Sequence, residues 1–359
     1  MCVMNFTREE VMRDYRIAAT SREASLLGRR EVLTGKAKFG IFGDGKELPQ
    51  LAMARAFRPG DFRSGYYRDQ TFMLAAGMAT LEELFAQLYA DWDREREPAS
   101  SGRQMNSHFA TPTLDADGRW LRLIDRKNSA ADTSPTGSQM PRLVGLAQAS
   151  KFYRELPGLE GFDGFSSNGG EVAFGTIGNA SCAEGMFWES VNAIGVLGVP
   201  AVLSIWDDGY GISVPNEHQI TKSDLSALLS GFARTEGNPQ GFQIFTVRGW
   251  DYPSLVAAYQ QAADVARRDH VPAIIHVVEL TQPQGHSTSG SHERYKPPER
   301  LAWEAENDGL AVFRALIVEK GWASDGELRQ IESEAKDAVN AAKRSAWSHF
   351  MDPIQAQVD

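Results

Sequence analysis

Across the middle of the chain the apolar residues fall in short, nearly unbroken blocks, at 172–177, 201–206, 242–247 and 273–280. A strand with one wet face alternates polar and apolar side chains. A continuous run is instead expected where both faces are covered, as in a parallel sheet. The stretches between them, 182–197, 223–233 and 253–268, carry helical periodicity. Strand and helix in alternation predict an α/β fold, a doubly wound parallel sheet flanked by helices. Further helices are expected at 7–33, 48–56, 80–93 and 141–154, the first opened by Thr7 and Glu10 as a capping box. From 299 onward the pattern is helical throughout, most clearly over 327–347. The chain thus reads as one domain over 1–359, with an N-terminal helical arm (1–60), a core (61–298) and a C-terminal helical part (299–359). Residues 94–138 are polar and rich in Ser, Gly, Asp and Asn; a loop region this long is uncommon unless it is functional.

Composition narrows the classes. With 42% apolar and 23% charged residues in 359, the chain is that of a folded globular protein. A net charge of −10 argues against nucleic acid as a partner, yet leaves room for a local basic pocket around a small phosphate ligand. Cys2 and Cys182 are too few and too far apart for a disulfide framework or a metal cluster, which suggests a reducing compartment. No apolar run reaches membrane-spanning length, and Asn5 to Glu10 lacks the pattern of a signal peptide. The expectation is a cytoplasmic protein with no membrane partner.

Chemistry concentrates where two strands end. Gly178-Asn179-Ala180-Ser181-Cys182-Ala183-Glu184-Gly185 follows the first block directly, and Ser181 with Glu184 reads as a second capping box. A strand, a turn of small residues and a helix N-terminus make a diphosphate site, through free N–H groups and the helix dipole. Such sites lie at the carboxyl ends of the strands. The next strand ends in Trp206-Asp207-Asp208-Gly209-Tyr210-Gly211. Asn179, Asp208 and the Tyr210 carbonyl could then join two phosphate oxygens and a water around Mg²⁺, which wants octahedral oxygens at roughly 2.0–2.1 Å.

This pair of strand ends resembles the thiamine diphosphate motif of the 2-oxo acid dehydrogenases, Gly-Asp-Gly followed about 25–30 residues later by Asn-Asn. Here Asn179 stands in the place of the acid and Asp207-Asp208 in that of the amide pair. One carboxylate and one amide remain, which reads as a compensated metal site. Two departures weaken the match: Ala180 replaces a glycine, and Trp206 stands where branched-chain relatives carry a diphosphate-binding arginine. Gly43-Asp44-Gly45 spells the usual triplet, but Phe72-Met73-Leu74 sits where the pair should follow. It reads as a turn and helix start.

Four more stretches resemble the family in chain order. Tyr66-Tyr67-Arg68-Asp69-Gln70 implies that Tyr67 and Arg68 grip the diphosphate. Gly102-Arg103-Gln104-Met105-Asn106-Ser107-His108 implies a catalytic His108 lining the active-site channel. Thr133-Ser134-Pro135-Thr136-Gly137-Ser138-Gln139-Met140-Pro141 implies a cofactor-ordering loop. Ser134 and Thr136 would lie beside the cofactor, and a potassium ion would take the Ser138 and Gln139 side chains and the carbonyls of Thr133 and Pro135. Gln284-Gly285-His286-Ser287-Thr288-Ser289 implies that His286 reaches the diphosphate and the reacting carbon and assists acyl transfer. Ser287 matches a position phosphorylated in mitochondrial relatives, a regulation not carried over here.

The resemblance implies a thiamine-diphosphate-binding fold and the alpha part of a 2-oxo acid dehydrogenase. The cofactors would be thiamine diphosphate, Mg²⁺ and a K⁺ ion, held by Gly178, Asn179, Ala180, Ser181, Asp208, Tyr210 and His286 with the residues above. The reaction would be oxidative decarboxylation, the acyl group passing to the lipoyl arm of a transacylase core. No motif supplies the glutamate that in this family comes from the beta part. A beta partner, separate or fused as in a bacterial sub-branch, and an assembly of two alpha and two beta units are therefore implied. The Arg-Gln-Met and His-Ser-Thr-Ser wording leans toward branched-chain substrates. The alternatives are pyruvate or acetoin, or a scaffold paralogue without metal; transketolase-like carboligases need a longer chain.

Overall fold

The apolar blocks become strands of one sheet because helices cover both of its faces. The computed structural model describes residues 6–159 and 161–358; Cys2, like the rest of the first five positions, lies outside them. The chain begins with α1 (Arg8–Leu33), where the Thr7 hydroxyl accepts from Glu10 N and the Thr7 amide donates to the Glu10 carboxylate, so the capping box forms. There follow α2 (Glu47–Ala56), β1 (Phe62–Ser64), α3 (Gln70–Ala76), α4 (Leu81–Leu88), β2 (Asn128–Ser129) and α5 (Gln139–Glu155). Next come β3 (Ala173–Gly178), α6 (Gly185–Leu197), β4 (Ala201–Trp206) and a small hairpin of β5 (Tyr210–Gly211) and β6 (Val214–Pro215). The remainder is α7 (Leu225–Leu229), β7 (Gln243–Arg248), α8 (Tyr252–Asp269), β8 (Ala273–Val278), α9 (Pro298–Glu306), α10 (Gly309–Glu319) and α11 (Asp325–Val358).

Six strands lie parallel in the order β2-β1-β3-β4-β8-β7. Successive side chains point to opposite faces, and both faces are dry along β3, β4 and β8, whereas block 242–247 becomes the half-exposed edge strand β7, with Thr246 and Arg248 open to solvent. Phe174, Val202 and Ile275 pack with Tyr15, Leu51, Tyr259, Phe313 and Leu328. Their neighbours Ala173, Leu203 and Ile274 pack with Leu143, Phe187, Val191 and Leu225. Helices α1, α2, α10 and α11 thus share one core with the sheet, and Leu27, Phe85, Val339 and Ala346 form a separate cluster between α1, α4 and α11. Among the described residues no helix is long and apolar enough to cross a membrane.

Several expectations need correction. The helix expected over 80–93 stops at Leu88, because Ala90 turns left-handed (φ 61°) and Asp91 pairs with Arg96. Over 223–233 the α-helix is confined to Leu225–Leu229, capped by the Asp224 side chain and flanked by 3-10 turns. The second capping box does not form. Glu184 N donates to the Ser181 carbonyl rather than its hydroxyl, and Glu184 is itself the N-cap of α6, preceded by a 3-10 turn over Ala180–Ala183. Strands β1 and β2 and helix α3 carry no expectation from the sequence pattern. Phe62-Arg63-Ser64 is a strand only because β3 flanks it on one side and β2 on the other.

Register fixes the site. Gly178 pairs with Trp206, and Trp206 with Val277, so β3, β4 and β8 end nearly level. Asn179, Asp207 and the residues after Val278 leave the sheet side by side, at the carboxyl edge where open α/β sheets bind ligands.

Candidate active site

The loops after β1, β3, β4 and β8 enclose a cavity of about 430 Å³. Its wall includes Tyr67, Arg68, Thr136, Gly178, Asn179, Ala180, Ser181, Asp208, Tyr210 and His286, ten of the residues expected from the sequence. The extra methyl of Ala180 is accommodated because Gly211 faces it; a Cβ on Gly211 would come 2.5 Å from that methyl. Trp206 is fully buried and forms an apolar part of the wall.

Three oxygen donors meet on one side. The Asn179 amide nitrogen donates to the Tyr210 carbonyl (3.2 Å) and to Asn216 Oδ1 (2.7 Å), which leaves its own oxygen as the remaining acceptor. Asp208 Oδ1 accepts from Tyr210 N (3.1 Å), and Oδ2 accepts from Lys46 Nζ (2.9 Å). Burial pushes the Asp208 carboxyl upward, but the Lys46 ammonium, helped by Arg68 and Lys296, outweighs it and holds the group below the usual carboxylate range. Burial, opposed by Asp208, lowers Lys46 from the usual lysine range. Asp207 is occupied elsewhere, accepting from Gly209 N, Asn216 Nδ2 and His276 Nε2. It shapes the exit of β4.

Opposite lies the turn after β1. Arg63, wholly buried, donates to Asp69 (2.5 Å), Asp132 (2.9 Å), Ser129 Oγ and the Tyr66 carbonyl (3.0 Å), pinning the turn that carries Tyr67 and Arg68. Burial, with Asp132 alongside, outweighs Arg63 and raises the Asp69 carboxyl to about 6. Arg68 donates to the Phe42 carbonyl (2.6 Å), to the His286 carbonyl (2.9 Å) and to His286 Nδ1 (3.0 Å). A guanidinium has no acceptor, so Nδ1 accepts and the ring proton sits on Nε2. Burial first, and Arg68 second, lower His286 to about 4, so the ring is neutral at pH 7. The triplet Gly43-Asp44-Gly45 is a turn before α2, and it also braces this loop: Asp44 accepts from Gln284 N and Nε2.

His108 is not on the cavity wall. It is 2% exposed behind Tyr67, with its Nδ1 toward the Asn106 carbonyl and its Nε2 accepting from the exposed Ser134 hydroxyl (3.2 Å). In the loop expected to hold potassium, the Thr133 and Ser138 hydroxyls bond to each other, the Pro135 carbonyl accepts from Ser138 N, and the Gln139 amide donates to the Thr176 carbonyl. Sequence reading missed Lys46, Glu184, Asn216, Gln219 and Arg300. Lys46 is 2% exposed, and its three N–H groups meet Asp208, Gln282 Oε1 (2.6 Å) and the Thr281 carbonyl (3.3 Å). Arg300 donates to the Asp208 carbonyl (2.7 Å). The one local signal for Lys46 is its place between a turn and an apolar helix start.

The donor chemistry suits a diphosphate carrying a hard cation. Arg68 brings a buried guanidinium charge to the wall for phosphate oxygens, and Ser181 and Tyr67 add polar groups to it. Among the described residues no group of three or more His, Cys, Asp or Glu is placed to hold a metal. A divalent ion would rest on the Asn179, Asp208 and Tyr210 oxygens, an all-oxygen set of the kind magnesium takes.

Known proteins point the same way. The family model described as dehydrogenase E1 component matches residues 18–354. The chain is 27% identical to the 2-oxoisovalerate dehydrogenase subunit alpha of Bacillus subtilis (strain 168), over 99% of this chain and 98% of that one. It is 24% identical to the mitochondrial 2-oxoisovalerate dehydrogenase subunit alpha of Caenorhabditis elegans, over 90% and 67% respectively. With the pyruvate dehydrogenase E1 component subunit alpha of Rhizobium meliloti (strain 1021) it shares 23%, over 94% and 85%. With the match spanning the sheet, its flanking helices and every loop of the cavity, the chain belongs to the dehydrogenase E1 component family.

Proposed function

We propose that the cavity binds thiamine diphosphate with Mg²⁺, and that the chain is the alpha part of a 2-oxo acid dehydrogenase acting on a branched-chain substrate. Oxidoreductase chemistry of the 2-oxo acid dehydrogenase type follows from the family and its relatives. The observation that carries the cofactor reading is the convergence of Arg68, Asn179, Asp208 and His286, from four loops, on one cavity.

When bound, thiamine diphosphate supplies the electron sink for loss of carbon dioxide from a 2-oxo acid. The residues bind, orient and exclude water. Arg68, Ser181 and Tyr67 would hold the diphosphate, and Asn179, Asp208 and the Tyr210 carbonyl its cation. His286, neutral with its proton on Nε2, presents a hydrogen-bond donor, and Arg68 keeps it in that tautomer. Tyr66, Tyr67 and Trp206 line the cavity with aromatic surface. We assign His108 a positioning role, through Ser134 and Tyr67. A potassium ion at Thr133, Pro135, Ser138 and Gln139 would have to open the Thr133–Ser138 hydroxyl pair.

The partners we infer are a beta part that completes the site and a lipoyl transacylase that takes the acyl group, in the cytoplasm. The test is the chain reconstituted with its beta part and assayed for decarboxylation. We expect a higher kcat/KM with 3-methyl-2-oxobutanoate than with pyruvate; the reverse order overturns the substrate assignment. No carbon dioxide from either substrate, in a complex that binds the cofactor, overturns the activity.

A further inference from the structure

Among the described residues Lys46 is the one cation paired with the carboxylate of an expected metal ligand, and nothing in the cofactor reading uses it. Its three N–H groups are fully engaged, by Asp208 Oδ2, Gln282 Oε1 and the Thr281 carbonyl, so it has none left to donate to a phosphate. It is nevertheless part of the cavity wall and only 2% exposed, so water screens its charge little. The carboxylate beside it is largely but not fully shielded, at 12% side-chain exposure. Oxygen donors at Asn179, Asp208 and Tyr210, taken alone, carry one negative charge. With Lys46 counted, they carry none.

We propose that Lys46 sets the divalent-cation affinity of this site: by cancelling the charge of Asp208 it keeps the site from taking up a bare metal ion, so that the cation enters with the diphosphate. The inference rests on the cofactor reading above and deepens it. A buried unit charge a few ångströms from a divalent ion is a strong lever even at a protein-like dielectric, enough for at least a tenfold change in affinity, on the order of 1.4 kcal/mol. The two residues form a charge pair with opposite effects. Losing Lys46 leaves a free carboxylate and strengthens metal binding. Losing the charge of Asp208 leaves a free ammonium and weakens it. Losing both restores neutrality.

The experiment is a double-mutant cycle in the full chain complexed with its beta part, read as Mn²⁺ binding by electron paramagnetic resonance, with and without thiamine diphosphate. Lys46→Met is expected to tighten Mn²⁺ at least tenfold without cofactor, Asp208→Asn to weaken it at least tenfold, and the double variant to return near the wild type. Should Lys46→Met not fold, Asp208→Asn against the double variant gives the same comparison, and removing Lys46 must again tighten the metal at least tenfold. Mn²⁺ affinity insensitive to Lys46 in variants that still bind thiamine diphosphate overturns the inference alone. Failure of every protein, wild type included, to bind thiamine diphosphate overturns the cofactor reading, and the inference with it.

Discussion

Replacing Arg63 by Met tests how the cofactor-facing turn is held. The Arg63 side chain is wholly buried, as are both carboxylates it serves, and it also donates to Ser129 Oγ and to the Tyr66 carbonyl. Removing one partner of a buried ion pair costs about 3–5 kcal/mol, because the remaining charge has no water to turn to. With an unfolding entropy near 2.1 cal/mol/K per residue, a chain of 359 residues loses about 4–7 °C in Tm for that amount. The loss depends on pH. Asp69 already lies at about 6 with Arg63 present, raised by burial; without the guanidinium it goes higher. The folded variant then binds protons that the unfolded chain has released, so its stability rises as pH falls through the folded value toward the unfolded one. Calorimetry of the alpha–beta complex, at one protein concentration, should give the full gap to wild type at pH 8 and a smaller one at pH 5.5. A gap under about 1 °C at pH 8, or one that widens on acidification, would refute the reasoning.

Three further outcomes are expected. Arg68→Met removes the second contributor to the low His286 value and leaves burial, so the ring's titration, followed by NMR, should move up from about 4 toward the ordinary range; an unmoved midpoint counts against the Arg68–His286 contact. Gly45→Ala places a Cβ 2.2 Å from the Thr281 carbonyl oxygen at a residue with φ +84°, so the backbone beside Lys46 must shift. A loss of about 1–3 kcal/mol and weaker cofactor binding are expected, and unchanged values of both contradict the packing. Asp44→Ala removes the acceptor of Gln284 N and Nε2. Amide exchange over 284–289 should quicken roughly tenfold while exchange in β3 and β4 stays as it was; equal rates in that loop contradict the brace.

The sheet was legible where burial is two-sided and continuous. The block 201–206 is β4 itself, because a strand between two helical layers is mostly apolar, its one polar side chain, Ser204, being satisfied by the Tyr259 hydroxyl. Short β1 was not legible, since Arg63 and Ser64 are strand residues only through their neighbours in the sheet. The Ser181–Glu184 spacing misled because Glu184 can serve either as the third helical residue or as the N-cap, and the 3-10 turn decides for the latter. At the site, one carboxylate and one amide at Asp208 and Asn179 could be read from two strand ends. Lys46, which changes what that carboxylate is worth to a metal, could not, since 162 positions separate it from Asp208 and only the fold joins them. His108 shows the same limit in reverse, for a motif fixes its identity but not that Tyr67 stands in front of it.

The central claim is that this cavity holds thiamine diphosphate through Arg68, Asn179, Asp208 and His286. Isothermal titration of the alpha–beta complex with thiamine diphosphate in the presence of Mg²⁺ tests it most directly. Saturable binding at one cofactor per alpha chain, weakened at least tenfold by Asn179→Ala in a complex that remains folded, is the predicted result. An intact complex that takes up no thiamine diphosphate, or one whose affinity ignores Asn179, would contradict it.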